Sequence, residues 1–304
     1  MRIASGSCLV SIALWGCGGG GSQPPDSAAI QTVANPTSQS PETAASIAPL
    51  SLTASASLIG WRLVWSDEFN VDGLPDNTKW NYDTFRNKLG WYNNEQQYYA
   101  NARLQNSSVS KGALSVVAIK ERLATAPDYG SQNYTSARLV TQGKFSFTYG
   151  FVEVRAKLPC SRGTWPAIWT LGDSPVTWPA NGEIDIMEQK GLGASDKFTV
   201  LGTLHMSAFF GGTGKSASLA VPDACTSFHN YQLTWDVDKI QIGVDGIVYS
   251  TYVNPKNGLS ATWPFDKPQY LLLNVAMGGD LGGAIPSSFT TDQMQVDYVR
   301  VYQR

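Results

Sequence analysis

Residues 182–188 read Gly-Glu-Ile-Asp-Ile-Met-Glu, so three carboxylates lie among apolar neighbours. Only 15% of the chain is charged, and such acidic density inside an apolar run indicates a specific use. Side chains alternate faces along a β-strand, which places Glu183 and Asp185 on one face. Regular alternation would turn Glu188 to the other face. One extra residue, most simply Met187 in a β-bulge, returns Glu188 to the face of the other two.

Three carboxylates in a row on one strand face have a chemical use. One can attack a carbon atom, one can donate a proton, and the middle one can hold a shared proton that keeps the pKa values of its neighbours apart. The alternative is a solvated acidic edge without chemistry, as many charge runs on protein surfaces are. The sequence on either side of the stretch decides between these interpretations.

The composition indicates a globular domain whose partner is not a nucleic acid. The chain has 304 residues, 42% of them hydrophobic, and a formal net charge of −2. No basic patch stands out, which argues against binding to a phosphate backbone. The 10 Trp and 13 Tyr residues either fill the core or stack against sugars, since the apolar face of a pyranose packs on an aromatic ring.

The segment before residue 58 carries targeting and linker signals. Residues 1–17 begin with a positive charge and continue in an apolar run too short to span a membrane. Residues 14–17, Leu-Trp-Gly-Cys, resemble a bacterial lipoprotein cleavage box, which predicts a lipid on Cys17; an ordinary secretory signal is the alternative. Residues 18–57 hold almost no large apolar residue and predict a flexible tether. We expect a bacterial cell-envelope lipoprotein, at the outer membrane or cell surface, or a secreted protein.

Residues 58–304 are dominated by strand signals. Apolar residues alternate with polar ones after Gly112, after Gly150 and again from Tyr231 onward. Asp245 and Gly246 stand between two β-rich runs, which is typical of a tight hairpin. Many strands with turn residues between them, and no long amphipathic helix, predict an all-β antiparallel sandwich. One broad face of such a sandwich can carry a groove.

Aromatic and histidine residues flank the acidic stretch. Trp165 and Trp169 precede it, and each is either a core residue or a sugar-stacking residue. His205 follows it in a short alternating run, and we expect it on the same sheet face. His229 precedes a strand and is interpreted as structural.

Several segments of the chain together resemble glycoside hydrolase family 16. Residues 183–188 resemble the ExDxxE active strand of that family, and further segments resemble it in the right order. They are Trp-Ser-Asp-Glu-Phe at 65–69, Asn-Glu-Gln-Gln-Tyr-Tyr at 94–99, Tyr-Gly-Phe-Val-Glu-Val-Arg at 149–155, Trp-Pro-Ala-Ile-Trp at 165–169, and residues 296–302. The ordered set covers nearly all of residues 60–304.

The resemblance implies a β-jelly roll with a concave substrate cleft and endo-hydrolysis of a β-glycan with retention of anomeric configuration. It makes Glu183 the nucleophile, Glu188 the general acid and base, and Asp185 the hydrogen-bond partner that tunes Glu183. The bulged strand is similar to the laminarinase, agarase and carrageenase branches more than to the unbulged lichenases. The Trp-Pro-Ala-Ile-Trp segment and the glycine loop after residue 277 look most like laminarinases, which cut β-1,3-glucan. No cofactor is expected for catalysis.

The resemblance also implies residues that bind the substrate. Trp165 and Trp169 would stack sugars next to the cleavage point, and His205 would support the carboxylates from the neighbouring strand. Trp91 and Asn93 would lie at the cleft rim, with ordinary loop packing as the alternative.

A structural calcium ion is a further implication. Its ligands would be backbone oxygens of Glu68 and Gly112 and the carboxylate of Asp297, and the alternative is no metal.

Cys160 and Cys225 remain after the lipidation box. An exported protein meets an oxidising compartment, so a disulfide is expected, with two buried thiols as the alternative.

Other functions remain open in the sequence alone. The same fold could act on mixed-linkage glucan, agar or carrageenan, or it could bind glycans without cleaving them. All three carboxylates are present, which favours an enzyme. Few Lys or Arg residues occur from Gly163 to Lys190, which favours a neutral glucan over a sulfated polymer. We expect a monomer.

Overall fold

The computed structural model of the chain describes residues 60–191 and 198–304. The predicted signal segment 1–17 with Cys17, the predicted tether 18–57 and the first two residues of the predicted domain lie outside the described residues. Within the described part, the chain forms β-strands, one short α-helix (α1, Gly279–Gly282) and one 3-10 turn at Gly211–Thr213. No helix in this part is long and apolar enough to cross a membrane.

The strands form two sheets. In chain order they are β1 Arg62–Asp67, β2 Asn81–Tyr82, β3 Gln97–Tyr99, β4 Ser107–Ser110, β5 Ala113–Ile119, β6 Tyr134–Ser136, β7 Arg138–Val140, β8 Gly150–Lys157, β9 Thr164–Gly172, β10 Glu183–Gln189, β11 Thr199–His205, β12 Lys215–Ala220, β13 His229–Trp235, β14 Lys239–Val244, β15 Ile247–Val253, β16 Gln269–Met277 and β17 Thr291–Gln303.

The larger sheet has ten strands in the order β15-β14-β13-β8-β17-β5-β6-β3, with β1 paired to β17 and β4 paired to β5. The smaller sheet has seven strands in the order β12-β11-β10-β9-β16-β7-β2. Pairing is antiparallel throughout except between β3 and β6. The predicted all-β antiparallel sandwich is therefore confirmed.

Alternating apolar residues from both sheets build one core between them. In β5 the buried residues are Leu114, Val116 and Ala118, the alternation that the sequence predicts. From the smaller sheet, the apolar residues of β10 and alternate residues of β16 reach the same cluster. One face of the seven-stranded sheet therefore packs on the core and the other is free for a site.

The strand next to β10 contains a proline, which is unusual away from a sheet edge. Pro166 of β9 pairs with Val275 of β16. On the other side, the last residue pair between β9 and β10 joins Ala167 to Glu188. Pro166 thus lies just beyond the end of that ladder, where its missing N–H interrupts no β9–β10 pair.

A disulfide joins Cys160, after β8, to Cys225, before β13. These two strands are neighbours, with His229 paired to Ala156, so the bridge closes the same end of the sheet. His229 lies there between two carboxylates, with Nδ1 2.6 Å from Asp245 Oδ2. This place outside the acidic row agrees with the structural interpretation of His229.

Of the residues predicted to hold calcium, Asp297 lies on β17, and Glu68 and Gly112 lie at the ends of its neighbours β1 and β5. The ladders pair Asp67 with Val299 and Leu114 with Val296, which brings Glu68 and Gly112 towards Asp297. The Asp297 carboxylate, however, accepts a hydrogen bond from Arg155 Nη1 at 2.8 Å, and Glu68 is paired with Arg300 at 2.7 Å. A calcium ion would share the Asp297 carboxylate with Arg155, whereas the ligands predicted at Glu68 and Gly112 are backbone oxygens, which these side-chain pairs do not involve. The calcium stays a prediction.

Candidate active site

The three carboxylates of β10 lie on one face of the smaller sheet. On the β9 side, Glu183 pairs with Leu171, Asp185 with Trp169, and Glu188 with Ala167, all odd-numbered positions that share one strand face. On the β11 side their partners are His205, Thr203 and Leu201, again odd-numbered. The ladders on both sides of β10 therefore align all three carboxylates.

A β-bulge produces this alignment. The register slips between Asp185 and Met187 against β9, and between Asp185 and Glu188 against β11. Both intervening residues, Ile186 and Met187, are fully buried in the core. The predicted bulge is present, and the residue skipped by the β9 ladder is Ile186 rather than Met187 itself.

The carboxyl row resists ionisation. Burial, followed by the charge of Asp185, raises the pKa of Glu183 to about 8. Burial, followed by the charge of Glu183, raises the pKa of Glu188 to about 7. Burial and the charge of Glu188 raise the pKa of Asp185 well above its ordinary value. Asp185 is buried, and Glu183 and Glu188 are half-buried on either side of it. Three carboxyls so close together and so poorly hydrated cannot all be ionised at neutral pH, so the row keeps protons that belong to the group as a whole.

His205 closes the row at the Glu183 end. Its Nε2 lies 3.3 Å from Asp185 Oδ2 and 4.0 Å from Glu183 Oε1. Its positive form would offset negative charge there, and the charge of His205 lowers the pKa of Glu183. The predicted supporting position is thus occupied, beside Asp185 and Glu183. Among the described residues, Glu183, Asp185 and His205 form a group of acidic and histidine side chains whose oxygen and nitrogen atoms are close enough to bind one metal ion. A role in catalysis accounts for this grouping without a metal.

Trp165 contacts the other end of the row. Its Nε1 donates a hydrogen bond of 2.9 Å to Glu188 Oε1, and this bond lowers the pKa of Glu188 against the effect of burial. Only 7% of Trp165 is exposed. A Cβ on Gly279 would lie 3.3 Å from the Trp165 ring and 2.7 Å from the Asn93 carbonyl oxygen, so the glycine loop can cover this ring closely. Trp165 is therefore placed to hold Glu188 more than to offer an open stacking face.

Trp169 is held by a chain of hydrogen bonds that the sequence did not predict. Its Nε1 donates to Asn274 Oδ1 at 2.8 Å, and Asn274 Nδ2 donates to the Tyr99 hydroxyl at 3.1 Å. The Tyr99 hydroxyl donates to Glu95 Oε2 at 3.4 Å. The Arg138 guanidinium lies 4.7 Å from the centre of the Trp169 ring. This network fixes the ring beside Asp185.

Comparison with known proteins agrees with this geometry. The family model described as glycosyl hydrolases family 16 matches residues 91–300. The chain belongs to family 16. A curated relative, the beta-glucanase of Rhodothermus marinus, is 45% identical over 256 residues, which cover 80% of this chain and 85% of the relative.

Solved structures of family 16 share the fold. A complex of SCLam, described as a non-specific endo-beta-1,3(4)-glucanase, matches with a TM-score of 0.79 and 47% identity, covering 84% of this chain and 98% of that one. The laminarinase from Rhodothermus marinus matches with a TM-score of 0.73 and 44% identity, covering 80% and 97%. The jelly-roll expectation is thereby confirmed.

Trp91 and Asn93, the two residues predicted at the cleft rim of this family 16 protein, differ in exposure. Trp91 is only 6% exposed, and its Nε1 donates to Asn87 Oδ1 at 3.0 Å. It packs edge-on against Tyr99, which corresponds to the loop-packing alternative. Asn93 is exposed, and its carbonyl oxygen accepts a hydrogen bond of 2.9 Å from the Asp280 N–H, so it joins the loop to the glycine segment.

Sequence reasoning missed several residues around the site. Glu95 lies in one of the resembling segments, but no local pattern marks it, although burial raises its pKa and its charge raises the pKa of Glu188. Arg138 and Asn274 had no local signal, because each is a single polar residue in a strand. Only the pairing of distant strands, such as Asn274 with Arg138 across β16 and β7, brings them to the site.

Proposed function

We propose that this chain is a retaining endo-β-glucanase that cleaves β-1,3-glucosidic bonds. The observation that carries the proposal is the bulged β10, which presents Glu183, Asp185 and Glu188 on one face with raised pKa values. A retaining glycosidase needs one ionised carboxylate and one protonated carboxyl beside the same bond. The carboxyls titrate as one group, so their raised pKa values do not assign the retained protons to particular residues; the form that reacts has Glu183 ionised and Glu188 protonated.

In the first step, protonated Glu188 donates its proton to the glycosidic oxygen while ionised Glu183 attacks the anomeric carbon. The carbon–oxygen bond to the leaving sugar breaks, and an ester between Glu183 and the remaining sugar forms. Burial and the charge of Glu188 raise the pKa of Asp185 well above its ordinary value, so Asp185 carries a proton at this stage and adds no second negative charge beside ionised Glu183.

In the second step, Glu188 is ionised and removes a proton from a water molecule. The resulting oxygen attacks the anomeric carbon from the face that the leaving sugar vacated, and the ester to Glu183 breaks. Two inversions give net retention. The Trp165 N–H bond stabilises the ionised form of Glu188 that this step requires.

The test uses single alanine variants on laminarin with a reducing-sugar assay. Glu183→Ala and Glu188→Ala are each expected to abolish hydrolysis while the circular dichroism spectrum stays that of the wild type. Azide is expected to restore turnover of Glu183→Ala with a product of inverted configuration. Glu121→Ala serves as a matched control, because Glu121 pairs with Arg103 away from β10. Wild-type activity in either active-row variant would refute the assignment.

A second substrate class is favoured by one observation. The solved structure with 47% identity is described as a non-specific 1,3(4)-glucanase, so mixed-linkage glucan is the runner-up substrate. Hydrolysis of laminarin, lichenan, agar and carrageenan in parallel, with product chromatography, separates these substrates. Preferred release of laminarin oligosaccharides supports β-1,3-specific cleavage. Binding of laminarin without product would instead favour the glycan-binding module.

We also propose export with a lipid on Cys17, supported by the sequence of residues 14–17. Labelling of cells with a radioactive fatty acid should mark the wild type but not Cys17→Ala. Equal labelling of both would exclude the lipid and leave an ordinary secretory signal. A monomer is expected in size-exclusion chromatography of residues 58–304. The predicted calcium is tested by the melting temperature with and without chelator, and an unchanged value excludes it.

A further inference from the structure

We propose that Glu183, Asp185 and His205 form a binding site for a divalent transition-metal ion such as Zn²⁺, and that the bound ion inhibits the enzyme reversibly. The inhibition rests on the proposed function, because it acts on the same nucleophile. His205 Nε2 lies 3.3 Å from Asp185 Oδ2 and 4.0 Å from Glu183 Oε1, and one ligand atom from each side chain lies within 4.8 Å of the other two. The ligand atoms of a tetrahedral zinc ion lie roughly 3.4 Å apart, so small side-chain movements suffice.

Two paired strands hold these three side chains in place. Glu183 of β10 pairs directly with His205 of β11, and Asp185 lies two residues further along β10 on the same face. A Cβ on Gly214 would lie 2.8 Å from His205 Cε1, so the backbone there packs closely against the imidazole. The ring of Trp178, a residue that is 46% exposed, lies 6.0 Å from the imidazole. The ligand set is therefore largely preformed, which favours binding.

An unpaired oxygen atom is a second observation that points to a ligand. Asp185 is only 3% exposed, and its Oδ2 makes no hydrogen bond within the part of the chain that the structure describes. A buried polar atom without a hydrogen bond is costly and indicates an ion, a water molecule or a functional group that pairs with it. This oxygen lies next to His205 Nε2, and an unprotonated imidazole nitrogen is a common metal ligand. An ion between the two atoms would satisfy both.

The donor set selects the class of metal. One imidazole nitrogen and two carboxylate oxygens suit Zn²⁺, which takes three protein ligands and a water molecule in many sites. Ca²⁺ needs six to eight oxygen ligands, and Mg²⁺ needs an octahedral set, so neither fits these three groups. His205 Nδ1 makes no hydrogen bond among the described residues, whereas the histidine of a permanent metal site almost always donates one. We therefore expect reversible binding of a regulatory ion, which takes no part in the reaction.

The bound ion would remove the nucleophile and leave the acid in place. Coordination of Glu183 occupies the lone pair with which this carboxylate attacks the anomeric carbon. Protons held by the ligands pass to solvent as the ion binds. Glu188 lies outside the ligand set, because its Oε1 accepts the hydrogen bond of 2.9 Å from Trp165. A sugar must approach Glu183 to react, so we expect the ion and the substrate to exclude each other.

The experiment titrates Zn²⁺ into the purified protein by isothermal titration calorimetry and measures laminarin hydrolysis over the same range of concentrations. The wild type is expected to bind one Zn²⁺ at this site and to lose activity in step with its occupancy, with full recovery after addition of a chelator. KM for laminarin should rise with Zn²⁺, and kcat at saturating laminarin should stay the same. Ca²⁺ and Mg²⁺ should not inhibit.

Three variants locate the ion. His205→Gln and Asp185→Asn each remove one ligand and are each expected to raise the Kd for Zn²⁺ by about tenfold or more. Because they remove different ligands, a folding defect in one leaves the other informative. His229→Gln is the matched control, since the chain has two histidines and His229 also lies between two carboxylates, those of Asp223 and Asp245. Its Kd for Zn²⁺ should equal that of the wild type.

The outcomes separate this proposal from the proposed function. Zn²⁺ binding that persists unchanged in both ligand variants, or that is lost in His229→Gln, overturns the site. Binding at the site with undiminished hydrolysis overturns the inhibition. An active wild type that binds no Zn²⁺ overturns the metal site and leaves the proposed function standing. A wild type that releases no reducing sugar, yet binds Zn²⁺ with the expected pattern among the variants, overturns the proposed function and supports the metal site.

Discussion

Replacement of Trp165 by phenylalanine tests how the site sets the protonation of Glu188. The Trp165 N–H donates to Glu188 at 2.9 Å and favours its ionised form, while burial and the charge of Glu183 raise the pKa of Glu188 to about 7. A hydrogen bond to a charged group is worth about 1 kcal/mol more than one to a neutral group. Since ~1.4 kcal/mol corresponds to one pKa unit, the loss of this bond should raise the pKa of Glu188 by ~1 unit.

The assay is kcat/KM on laminarin as a function of pH. Activity needs protonated Glu188, so it falls as pH rises through the pKa of this group in the free enzyme. In the wild type the alkaline limb is expected near pH 7, and in Trp165→Phe it should move to higher pH by ~1 unit, whatever happens to the maximum rate. Trp169→Phe is the matched control, because its indole donates to Asn274 and not to a carboxyl of the row. An unmoved limb in Trp165→Phe, or an equal shift in both variants, would refute the reasoning.

Three further changes test the row, the bulge and the disulfide. Glu183→Gln should raise the melting temperature more at pH 9 than at pH 5. The reason is that a carboxyl with a pKa of about 8 in the folded protein stays protonated at pH 5 but is ionised, and destabilising, at pH 9. Equal gains at both pH values would contradict this. Deletion of Met187 should turn Glu188 into the core and remove laminarin hydrolysis, whereas Met187→Leu should keep it. Serine at both Cys160 and Cys225 should lower the free energy of unfolding in urea by ~4 kcal/mol, since the bridge spans 65 residues; an unchanged urea midpoint would contradict it.

The strands and the acidic row were predictable because their signals are local. Alternation in β5 and β8 can be read from neighbouring residues, and it returns as buried residues in the structure. The odd spacing from Glu183 to Glu188 implied a bulge, because two core-facing residues in succession leave no other way to align the carboxylates. Both inferences need only the period of a strand and the polarity of each residue.

The rest of the site could not be predicted because it depends on which strands become neighbours. Trp91 and Trp165 looked like rim or stacking residues in the sequence, yet packing against Tyr99 and the glycine loop covers them. Arg138 reaches Trp169 only because β7 and β9 flank the same strand, β16. The exposure of Trp178 likewise follows from how the loop before β10 turns, which residue type alone does not determine.

The bulge also explains how a strand can carry such a row at all. In a regular strand, Met187 would face the cleft and Glu188 would enter the core, and burial of a charge without a partner is among the most destabilising changes a core can receive. The extra residue lets Ile186 and Met187 both pack in the core while Glu188 stays on the side of Trp165. The same backbone irregularity thus satisfies the hydrophobic core and concentrates the carboxyls. Burial and crowding raise the pKa values on which acid catalysis depends. The shift in register by one residue therefore affects both the stability of the fold and the chemistry of the row.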